Sequence, residues 1–481
     1  MSSHFTEEQH MTLKQEYDRT KPESIEAYSQ KLIGKTFSEL IDDYLKDNHL
    51  DGHEFIETYK SKANKGGLGN IVEKYFFRYE PNSSPEPDFQ EAGVELKVTP
   101  YKIISHDRKV AKERLIISMI DYMTVVNETF ENSHFWKKAK LILLVYYLYQ
   151  QEIQNKLDYQ IHYSKLFTPP KSDLPTIIHD FETILNKVKS GKAHELSGSD
   201  TVYLEAATKS SDSSIRRPQP YSSELAKPRA FAFKNSYMTY VLNSYVIPGK
   251  STYQPILPAD NTTPFEEYVV NQVGEYKGKT VDELCKIFGI TYDKRPKNLE
   301  SMLVFRILGV KGNHAEEFEK ANIVVKTIRL EEDGKIRESM SFPTFKFKEL
   351  VEEDWDDSTF GNYLRDTRFF FIVYKKNNAG EYVLKGCQFW NIPYDDLENH
   401  VRVVWEKTKK VLEDGLVLTT VGKRTYNNFP KVKDDAVCHV RPHAQNKDDT
   451  YELPTGGKYP KQCFWLRNTY IQSQLKKEFF E

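Results

Sequence analysis

The sequence predicts an α/β protein of two tandem domains built on one plan. Three phrases of the first half return in the second half: "GKTFSEL" (34–40) as "GKTVDEL" (278–284), "DFQEAGVELK" (88–97) as "EFEKANIVVK" (317–326), and "FAFKNSYMTYVL" (231–242) as "FWLRNTYIQSQL" (464–475). One short match would be noise, but three matches in the same order indicate a duplicated domain. A chain of 481 residues is also longer than a typical single domain, so two domains are expected.

A proline-rich stretch near the midpoint separates the two halves. Between Val246 and Phe265 the chain reads "IPGKSTYQPILPADNTTP", with four prolines and several small polar residues. This composition is typical of a linker. We therefore predict a first domain over residues 1–247, a linker over 248–264 and a second domain over 265–481.

Strand and helix patterns alternate within the first half. Residues 93–99 and 114–120 are predicted strands, and the apolar run 141–149 is predicted as a strand covered on both faces. Residues 71–77 follow glycines and predict the first turns of a helix. Apolar residues recur at helical spacing from Ile177 to Val188, between a Ser-Asp start and a glycine stop, and predict a core helix.

Composition restricts the class of protein. A net charge of −2 argues neither for nor against nucleic acid, so DNA binding would depend on local basic patches. Four cysteines without CxxC spacing suit a reducing cytosol, and the longest apolar run is about half of a membrane-spanning helix. The polar start carries no signal peptide pattern. We expect a cytoplasmic protein that does not bind a membrane.

The stretch "PDFQEAGVELK" has the residue order of a metal-dependent nuclease. Apolar residues alternate with Glu95 and Lys97, so this acid and this base project from one face of a strand, and Asp88 lies seven positions before Glu95. Two carboxylates at this spacing can share a hard cation such as Mg²⁺. The lysine can orient an attacking water and offset charge on a phosphate. Glu73, on the preceding predicted helix, is a further carboxylate.

Taken together, these motifs resemble a known family. "KGGLGNIVEKYF" followed by "EPDFQEAGVELKVTPYK" resembles the MutH family of GATC-specific DNA endonucleases, and most closely the Sau-type restriction endonucleases that cleave at GATC. The similarity continues through "GKAHELSGSDTVYLEAATK", "QPYSSELAKPRAFAFKNSYMT", "IVVKTI", "ESMSFPTFKFKEL" and "CHVRPH". It implies two tandem restriction-endonuclease-like domains of the PD-(D/E)xK type, the second a degenerate copy of the first.

The resemblance also implies an activity and its residues. The activity is that of a Mg²⁺-dependent type II site-specific deoxyribonuclease of a restriction-modification system, acting on double-stranded DNA that contains GATC. The catalytic residues implied are Glu73, Asp88, Glu95 and Lys97, with the metal on Asp88 and Glu95. A further basic active-site residue of the family falls just before the next strand, where Lys112 and Arg114 are both candidates and Lys112 is preferred.

The residues expected to bind DNA lie in both halves. They are Lys209, Arg216 and Arg217 in the first half and Arg441, His443 and Lys447 in the second. Arginine side chains can reach guanine edges bidentately, whereas lysines mostly hold phosphates. An exposed basic loop without a partner is the alternative interpretation of Arg216 and Arg217.

The second copy is predicted to bind DNA without cutting it. Its strand has Glu317, Val324 and Lys326 at the positions of Asp88, Glu95 and Lys97, so the acid on the strand face is lost. The resemblance implies that this domain binds a second GATC site as an effector. The sequence leaves open whether the protein self-associates when it binds DNA.

Three other interpretations compete with this one. A zinc site at Cys438, His439, His443 and Cys463 is disfavoured because neighbouring ligands have awkward geometry. A mismatch-repair nickase like MutH is disfavoured because such a protein resembles a single half of this chain. A non-catalytic, modification-sensing DNA-binding protein is disfavoured by the intact acids and lysine of the first half.

Overall fold

The computed structural model describes residues 17–49, 67–81, 84–104, 107–210, 214–247, 253–355, 358–422 and 424–481. Contacts within the chain divide it into two compact units. The first unit comprises residues 1–194 and 203–252, and the second comprises residues 195–202 and 253–481. Among the described residues, no helix is both long enough and apolar enough to cross a membrane. The four cysteines are unpaired and buried.

The first unit is a mixed α/β structure. Its helices are α1 (Pro22–Ser29), α2 (Phe37–Asp47), α3 (Leu68–Ile71), α4 (Tyr122–Val125), α5 (His134–Ala139), α6 (Leu174–Lys189) and α7 (Asn235–Val241). Its strands are β1 (Glu95–Ile104), β2 (Arg108–Ala111), β3 (Leu115–Met119), β4 (Ile142–Leu148), β5 (Ile161–Phe167), β6 (Leu204–Thr208), β7 (Arg217–Gln219), β8 (Ser222–Ala226) and β9 (Arg229–Phe233). Helix α3 continues into a π-helical turn, Val72–Phe76, and α7 into another, Leu242–Val246.

Two sheets organise the first unit. The larger has the strand order β2-β1-β4-β5, and β1 runs parallel to β4 while β2 and β5 are antiparallel to their neighbours. The smaller has the order β3-β9-β6, and β7 and β8 form a separate hairpin. The residues of β4 from Ile142 to Tyr146 are fully buried. The prediction of a strand covered on both faces at 141–149 is therefore confirmed, as is the core helix around Ile177–Val188, which forms α6.

The second unit is also mixed α/β. Its helices are α8 (Phe265–Gly274), α9 (Val281–Ile287), α10 (Leu299–Ile307), α11 (Glu316–Lys320), α12 (Phe347–Glu352), α13 (Thr359–Asp366), α14 (Tyr394–Asp396), α15 (Arg402–Asp414) and α16 (Asn468–Gln474). Its strands are β10 (Ile323–Leu330), β11 (Met340–Phe345), β12 (Arg368–Lys376), β13 (Tyr382–Trp390), β14 (Leu418–Val421), β15 (Arg424–Asn427), β16 (Cys438–Pro442), β17 (Thr450–Glu452), β18 (Lys458–Pro460) and β19 (Gln462–Leu466).

The sheets of the second unit repeat the strand directions of the first. One has the order β10-β12-β13, in which β10 is parallel to β12 and β13 is antiparallel, as in β1-β4-β5. The other has the order β11-β19-β16, with two antiparallel pairs, as in β3-β9-β6. The strands of each pair of sheets follow the same order along the chain.

The repeated "GKT" phrase forms the same turn in both units. Gly34 and Gly278 have positive φ angles of 88° and 89°, a region that glycine enters without steric cost. Their N–H groups donate to a carbonyl oxygen of the edge strand, Ile161 of β5 at 2.8 Å and Leu384 of β13 at 2.9 Å. The phrase therefore has a structural role: it fastens a turn to the sheet.

The threonine of the phrase caps the helix that follows. Thr36 and Glu39 at the start of α2, and Thr280 and Glu283 at the start of α9, exchange hydrogen bonds between side chain and backbone in a capping box. The Thr280 N–H donates to Glu283 Oε2 at 2.7 Å, and the Glu283 N–H donates to Thr280 Oγ1 at 3.1 Å. Each box satisfies N–H groups that have no partner within the helix.

The cap gives a stability prediction. Thr280→Ala should lower the free energy of unfolding by about 1 kcal/mol, because the Glu283 N–H loses its acceptor. Thr280→Ser keeps the acceptor oxygen and should keep most of that stability. Chemical denaturation of the two variants measures the difference, and equal losses in both would contradict a capping role.

Candidate active site

A tight turn brings Asp88 next to the start of β1. Phe89 and Val94 exchange backbone hydrogen bonds of 2.9 and 3.2 Å, and Gly93 adopts a φ of 66° between them. The chain therefore reverses, and Asp88 Oδ2 accepts a hydrogen bond from the Leu96 N–H at 2.8 Å. Asp88 and Glu95 are seven positions apart in the sequence, but the turn places Asp88 beside the start of the strand that carries Glu95.

Glu95 is a buried carboxylate held between two lysines. Its residue is only 2% exposed, and Oε1 lies 2.7 Å from the Lys97 ammonium. The Lys138 ammonium lies 3.3 Å from both carboxylate oxygens and donates a hydrogen bond to Oε1. Oε2 is buried and accepts no hydrogen bond in the described part of the chain. A buried carboxylate needs such cations, because desolvation of an unpaired charge is costly.

Lys138 was missed by the sequence analysis, and the sheet order explains why. It lies on α5, whose Phe135 and Ala139 are fully buried and hold the helix on the core. After α5, the Leu141 carbonyl accepts a hydrogen bond from the Glu95 N–H at 3.1 Å, and β4 then runs parallel to β1. A residue just before β4 therefore lies beside the first residue of β1.

Lys112, which the sequence favours as the additional basic residue, has contacts other than Asp88 and Glu95 in the structure. The Lys112 ammonium lies 3.1 Å from Glu113 and over the ring of Tyr149. Arg114, the alternative, pairs with Glu205 at 3.1 Å. Both residues precede β3, the next strand in the chain, but β3 belongs to the other sheet. Among the lysines just before β4, the strand parallel to β1, Lys138 is the one that contacts Glu95.

Glu73 lies in the π-helical turn that extends α3, a type of distortion that is frequent at functional sites. Burial, and then repulsion from Asp88, raise the pKa of its carboxyl to about 7. Burial, and then the charge of Glu95, likewise raise the pKa of Asp88 to about 6. The three predicted acids therefore repel one another, which shows that the turn and the strand bring them together.

Tyr79 is a second group at this site that the sequence did not indicate. Its hydroxyl is buried and has no hydrogen-bond partner among the described residues. Burial, and then the charges of Asp88 and Glu73, raise the pKa of the phenol. The Tyr79 ring packs on that of Phe89, with centroids 5.4 Å apart. The Tyr79 hydroxyl is thus available to donate a hydrogen bond beside the carboxylates.

The residues present fit a hard divalent cation. Asp88 and Glu95 offer carboxylate oxygens, one of which lacks a hydrogen bond, and their mutual repulsion would be relieved by positive charge. Among the described residues, no three His, Cys, Asp or Glu side chains are arranged as a complete metal site. Mg²⁺ does not need one, because it commonly binds one or two carboxylates and completes its shell with water and substrate phosphate.

The predicted DNA-binding side chains lie on the surfaces of their own units. Lys209 follows β6, Arg216 and Arg217 lie at the start of the β7–β8 hairpin, and all three are exposed. In the second unit Arg441, His443 and Lys447 are exposed as well. Arg441 lies over the indole of Trp465 at 5.2 Å, and the ring of His443 is 5.6 Å from the same indole.

In the second unit, the acid aligned with Asp88 is Glu317, and its side chain hydrogen-bonds to the backbone. Both carboxylate oxygens of Glu317 accept hydrogen bonds, at 2.8 Å from the Ile256 N–H and 2.9 Å from the Leu257 N–H. Val324 packs against the hydrophobic core, and Lys326 donates to the Ser341 carbonyl at 3.4 Å. Glu317 therefore ties down the chain before α8, and β10 has no acid in its sequence.

The zinc alternative also lacks support from the geometry. No metal-binding group of the required kind occurs in the described part of the chain, which includes Cys438, His439, His443 and Cys463. His439 is fully buried, and burial together with the charges of Arg441 and Arg467 lowers its pKa to about 4.

Buried acids on adjoining elements, two lysines and a mixed sheet are the features expected of a metal-dependent nuclease. Comparison with known proteins agrees with this class. The sequence profile of "DNA mismatch repair enzyme MutH" matches residues 77–180. MutH mismatch repair proteins of Shewanella woodyi and Shewanella baltica are 24% and 26% identical, over 40% and 38% of this chain and 82% and 80% of their own lengths.

One relative extends over both units. The type II restriction enzyme Sau3AI of Staphylococcus aureus is 35% identical over 477 residues, which cover 89% of this chain and 94% of the relative. The chain therefore belongs to the family of type II restriction enzymes that includes Sau3AI, and it is a site-specific deoxyribonuclease.

The raised pKa of Asp88 gives a prediction for the metal-free protein. Between about pH 4 and pH 6 the unfolded chain loses this proton more readily than the folded chain, so the charged carboxylate costs stability above that range. Asp88→Asn should therefore raise the free energy of unfolding by about 1–3 kcal/mol at pH 8 and leave it unchanged at pH 3. Denaturant titrations in chelator measure this, with the exposed Asp260→Asn as control. A loss of stability at pH 8 would contradict the raised pKa of Asp88.

Proposed function

We propose that the chain is a Mg²⁺-dependent restriction endonuclease that hydrolyses both strands of duplex DNA at GATC. The observation that carries this proposal is the buried Glu95 between Lys97 and Lys138, with Asp88 held beside it. Similarity to Sau3AI over both units supports the restriction activity. The GATC site rests on the sequence resemblance alone.

Asp88 and Glu95 are the residues that would hold the metal. When bound, Mg²⁺ supplies a Lewis acid that lowers the pKa of a coordinated water and neutralises charge on the phosphate. Lys97, which faces the same side of β1 as Glu95, orients the water and donates to the developing oxyanion. Glu73, whose pKa of about 7 leaves it partly ionised near neutral pH, accepts a proton from the water at this site.

We assign the additional basic role to Lys138 and no longer to Lys112. The Lys138 side chain is 12% exposed and contacts Glu95, so it can hold this carboxylate in position and present positive charge to a phosphate. Lys112 has its own partner in Glu113, outside the cluster.

These two lysines form a matched pair for mutagenesis. Lys138→Ala should lower the single-turnover cleavage rate by about 100-fold or more, because it removes one of two cations from the charged site. Lys112→Ala should cleave at close to the wild-type rate. Duplex binding in Ca²⁺ should persist in both variants, and thermal melting checks that each is folded at the assay temperature. The opposite ranking of the two rates would return the role to Lys112.

Lys209, Arg216 and Arg217 are proposed to bind the substrate duplex. Their exposure leaves them accessible to DNA, and two of them lie at the start of a hairpin that can follow a groove. Arginines at such positions can bind guanine edges, and the lysine can bind a phosphate.

The second unit is proposed to be a degenerate copy that binds a second GATC site without cleaving it. The matching strand orders of the two units support duplication. The burial of Glu317 under two backbone N–H groups and the core position of Val324 support the loss of catalysis. Arg441, His443 and Lys447 remain as the exposed basic residues that would contact the second duplex.

A two-site experiment tests the effector role. An uncleavable GATC oligonucleotide should stimulate wild-type cleavage of a DNA circle with one GATC site, by about 5- to 150-fold if coupling has its usual strength. Arg441→Ala should remove this stimulation and keep the basal rate, whereas Lys311→Ala, an exposed lysine elsewhere in the unit, should change neither. Inhibition by the oligonucleotide at every concentration would instead mean that both units bind one site.

Digestion of a plasmid of known sequence by the purified full-length chain with Mg²⁺ tests the activity itself. We expect double-strand fragments whose ends map to GATC. Nicked circles that require another protein would favour a MutH-like nickase, and intact plasmid would favour a non-catalytic DNA-binding protein. Sedimentation of the protein with GATC duplex in Ca²⁺, where binding is measured without cleavage, reports whether the protein self-associates on DNA.

A further inference from the structure

The tip of the β7–β8 hairpin has an unusual residue for its backbone conformation. Gln219 of β7 pairs with Ser222 of β8, which leaves Pro220 and Tyr221 as a two-residue turn. Tyr221 has a φ of 61°. A type II turn favours proline at its first central position and requires a positive φ at its second, which is normally occupied by glycine or asparagine. A bulky aromatic residue there is strained.

The hairpin tip is fixed in this conformation by buried contacts. The Gln219 side chain is only 5% exposed; its Oε1 accepts from the Ala193 N–H at 2.7 Å, and its Nε2 donates to the Glu224 carbonyl at 2.6 Å. Gly191 provides the second restraint, because a Cβ atom at Gly191 would lie 2.7 Å from the Tyr221 carbonyl oxygen. The turn therefore packs directly on the backbone at residues 191–193.

The Tyr221 side chain takes no part in this packing. Its residue is 77% exposed, the highest value among the large apolar side chains of the described residues. The described residues provide no hydrogen-bond partner and no ring contact for it. Leu225, on the next strand, is 55% exposed, and Arg217 is exposed at the base of the same hairpin. A rigid, strained turn thus presents an aromatic ring to solvent at the tip of a hairpin whose base carries an exposed arginine.

We propose that Tyr221 is a wedge that enters a groove of the duplex bound by the first unit and stacks on a base step. This inference rests on the proposed function, because it takes duplex DNA as the occupant. Arg217 on the hairpin suits a polyanion. Aromatic and apolar side chains inserted between base steps unstack them, and stacking accepts any base because every base has a π-face. The fixed turn keeps the ring pre-positioned and so limits the entropy lost on binding.

The strained backbone allows a sharp test. Tyr221→Gly removes the ring and relieves the strain, because glycine accepts a positive φ; Tyr221→Phe keeps the ring and removes only the hydroxyl. Tyr292→Ala, a substitution of an exposed tyrosine in the second unit, is the control. Each full-length variant is titrated in Ca²⁺ with a GATC duplex that carries 2-aminopurine in place of adenine, whose fluorescence increases when its base unstacks.

We expect Tyr221→Gly to melt at or above the wild-type temperature and to bind the duplex about 5- to 150-fold more weakly, the range that corresponds to the stacking of one base. It should also lose the fluorescence increase. Tyr221→Phe and Tyr292→Ala should match the wild type in both readouts.

Three results would overturn the wedge. Binding by Tyr221→Gly at wild-type strength would show that the ring does not contact DNA, and a lowered melting temperature would show that the ring has a structural role. Equal weakening by Tyr221→Phe would assign the contact to the hydroxyl. In each case wild-type binding of the duplex leaves the proposed function intact, whereas a wild-type protein that fails to bind it refutes both proposals.

Discussion

The candidate active site depends on one interaction, that of the buried Glu95 carboxylate with the ammonium groups of Lys97 and Lys138. A carboxylate that is 2% exposed is stable only if charge of opposite sign is brought to it, and the fold brings one cation from its own strand and one from a helix. The parallel pairing of β1 with β4 makes this possible, because both strands begin at the same edge of the sheet. Asp88 reaches the same edge through the turn at Gly93.

The same arrangement explains why the acids repel one another when no metal is bound. The raised pKa values of Glu73 and Asp88 arise from burial first and from neighbouring carboxylates second. Such a site stores unfavourable electrostatic energy that a bound divalent cation would release. In the second unit, Glu317 accepts two backbone hydrogen bonds, although burial still raises its pKa, and Val324 stands at the position matched to Glu95.

The features that the sequence predicted well are local or periodic. The buried strand β4 and the helix α6 follow from apolar spacing, and the structure contains both. It also places Asp88 beside the start of the strand that carries Glu95. Lys138 could not be found in this way, because its contact with Glu95 depends on which strand adjoins β1. The chain order pointed to β3 and therefore to Lys112, whereas the sheet order points to β4.

Other features depend on contacts that no local pattern records. Glu317 binds the N–H groups of residues about sixty positions earlier, so its role could not be read from the strand phrase. The strain at Tyr221 is visible only in the backbone angle, although Pro220 before it is a usual signal for a turn. The Gly191 contact that fixes this turn is also distant in sequence.

The central claim of the proposed function is that cleavage requires the Glu95 carboxylate, and that Val324 at the matched position contributes to the silence proposed for the second unit. The most direct test is Glu95→Val in the full-length protein, which copies the residue found at position 324. Plasmid cleavage with Mg²⁺ and duplex affinity in Ca²⁺ are measured on the same preparation. The account predicts no cleavage and retained binding, because phosphate and base contacts lie on other side chains. Cleavage at GATC by this variant would contradict it, since the catalytic centre would then lie elsewhere in the chain.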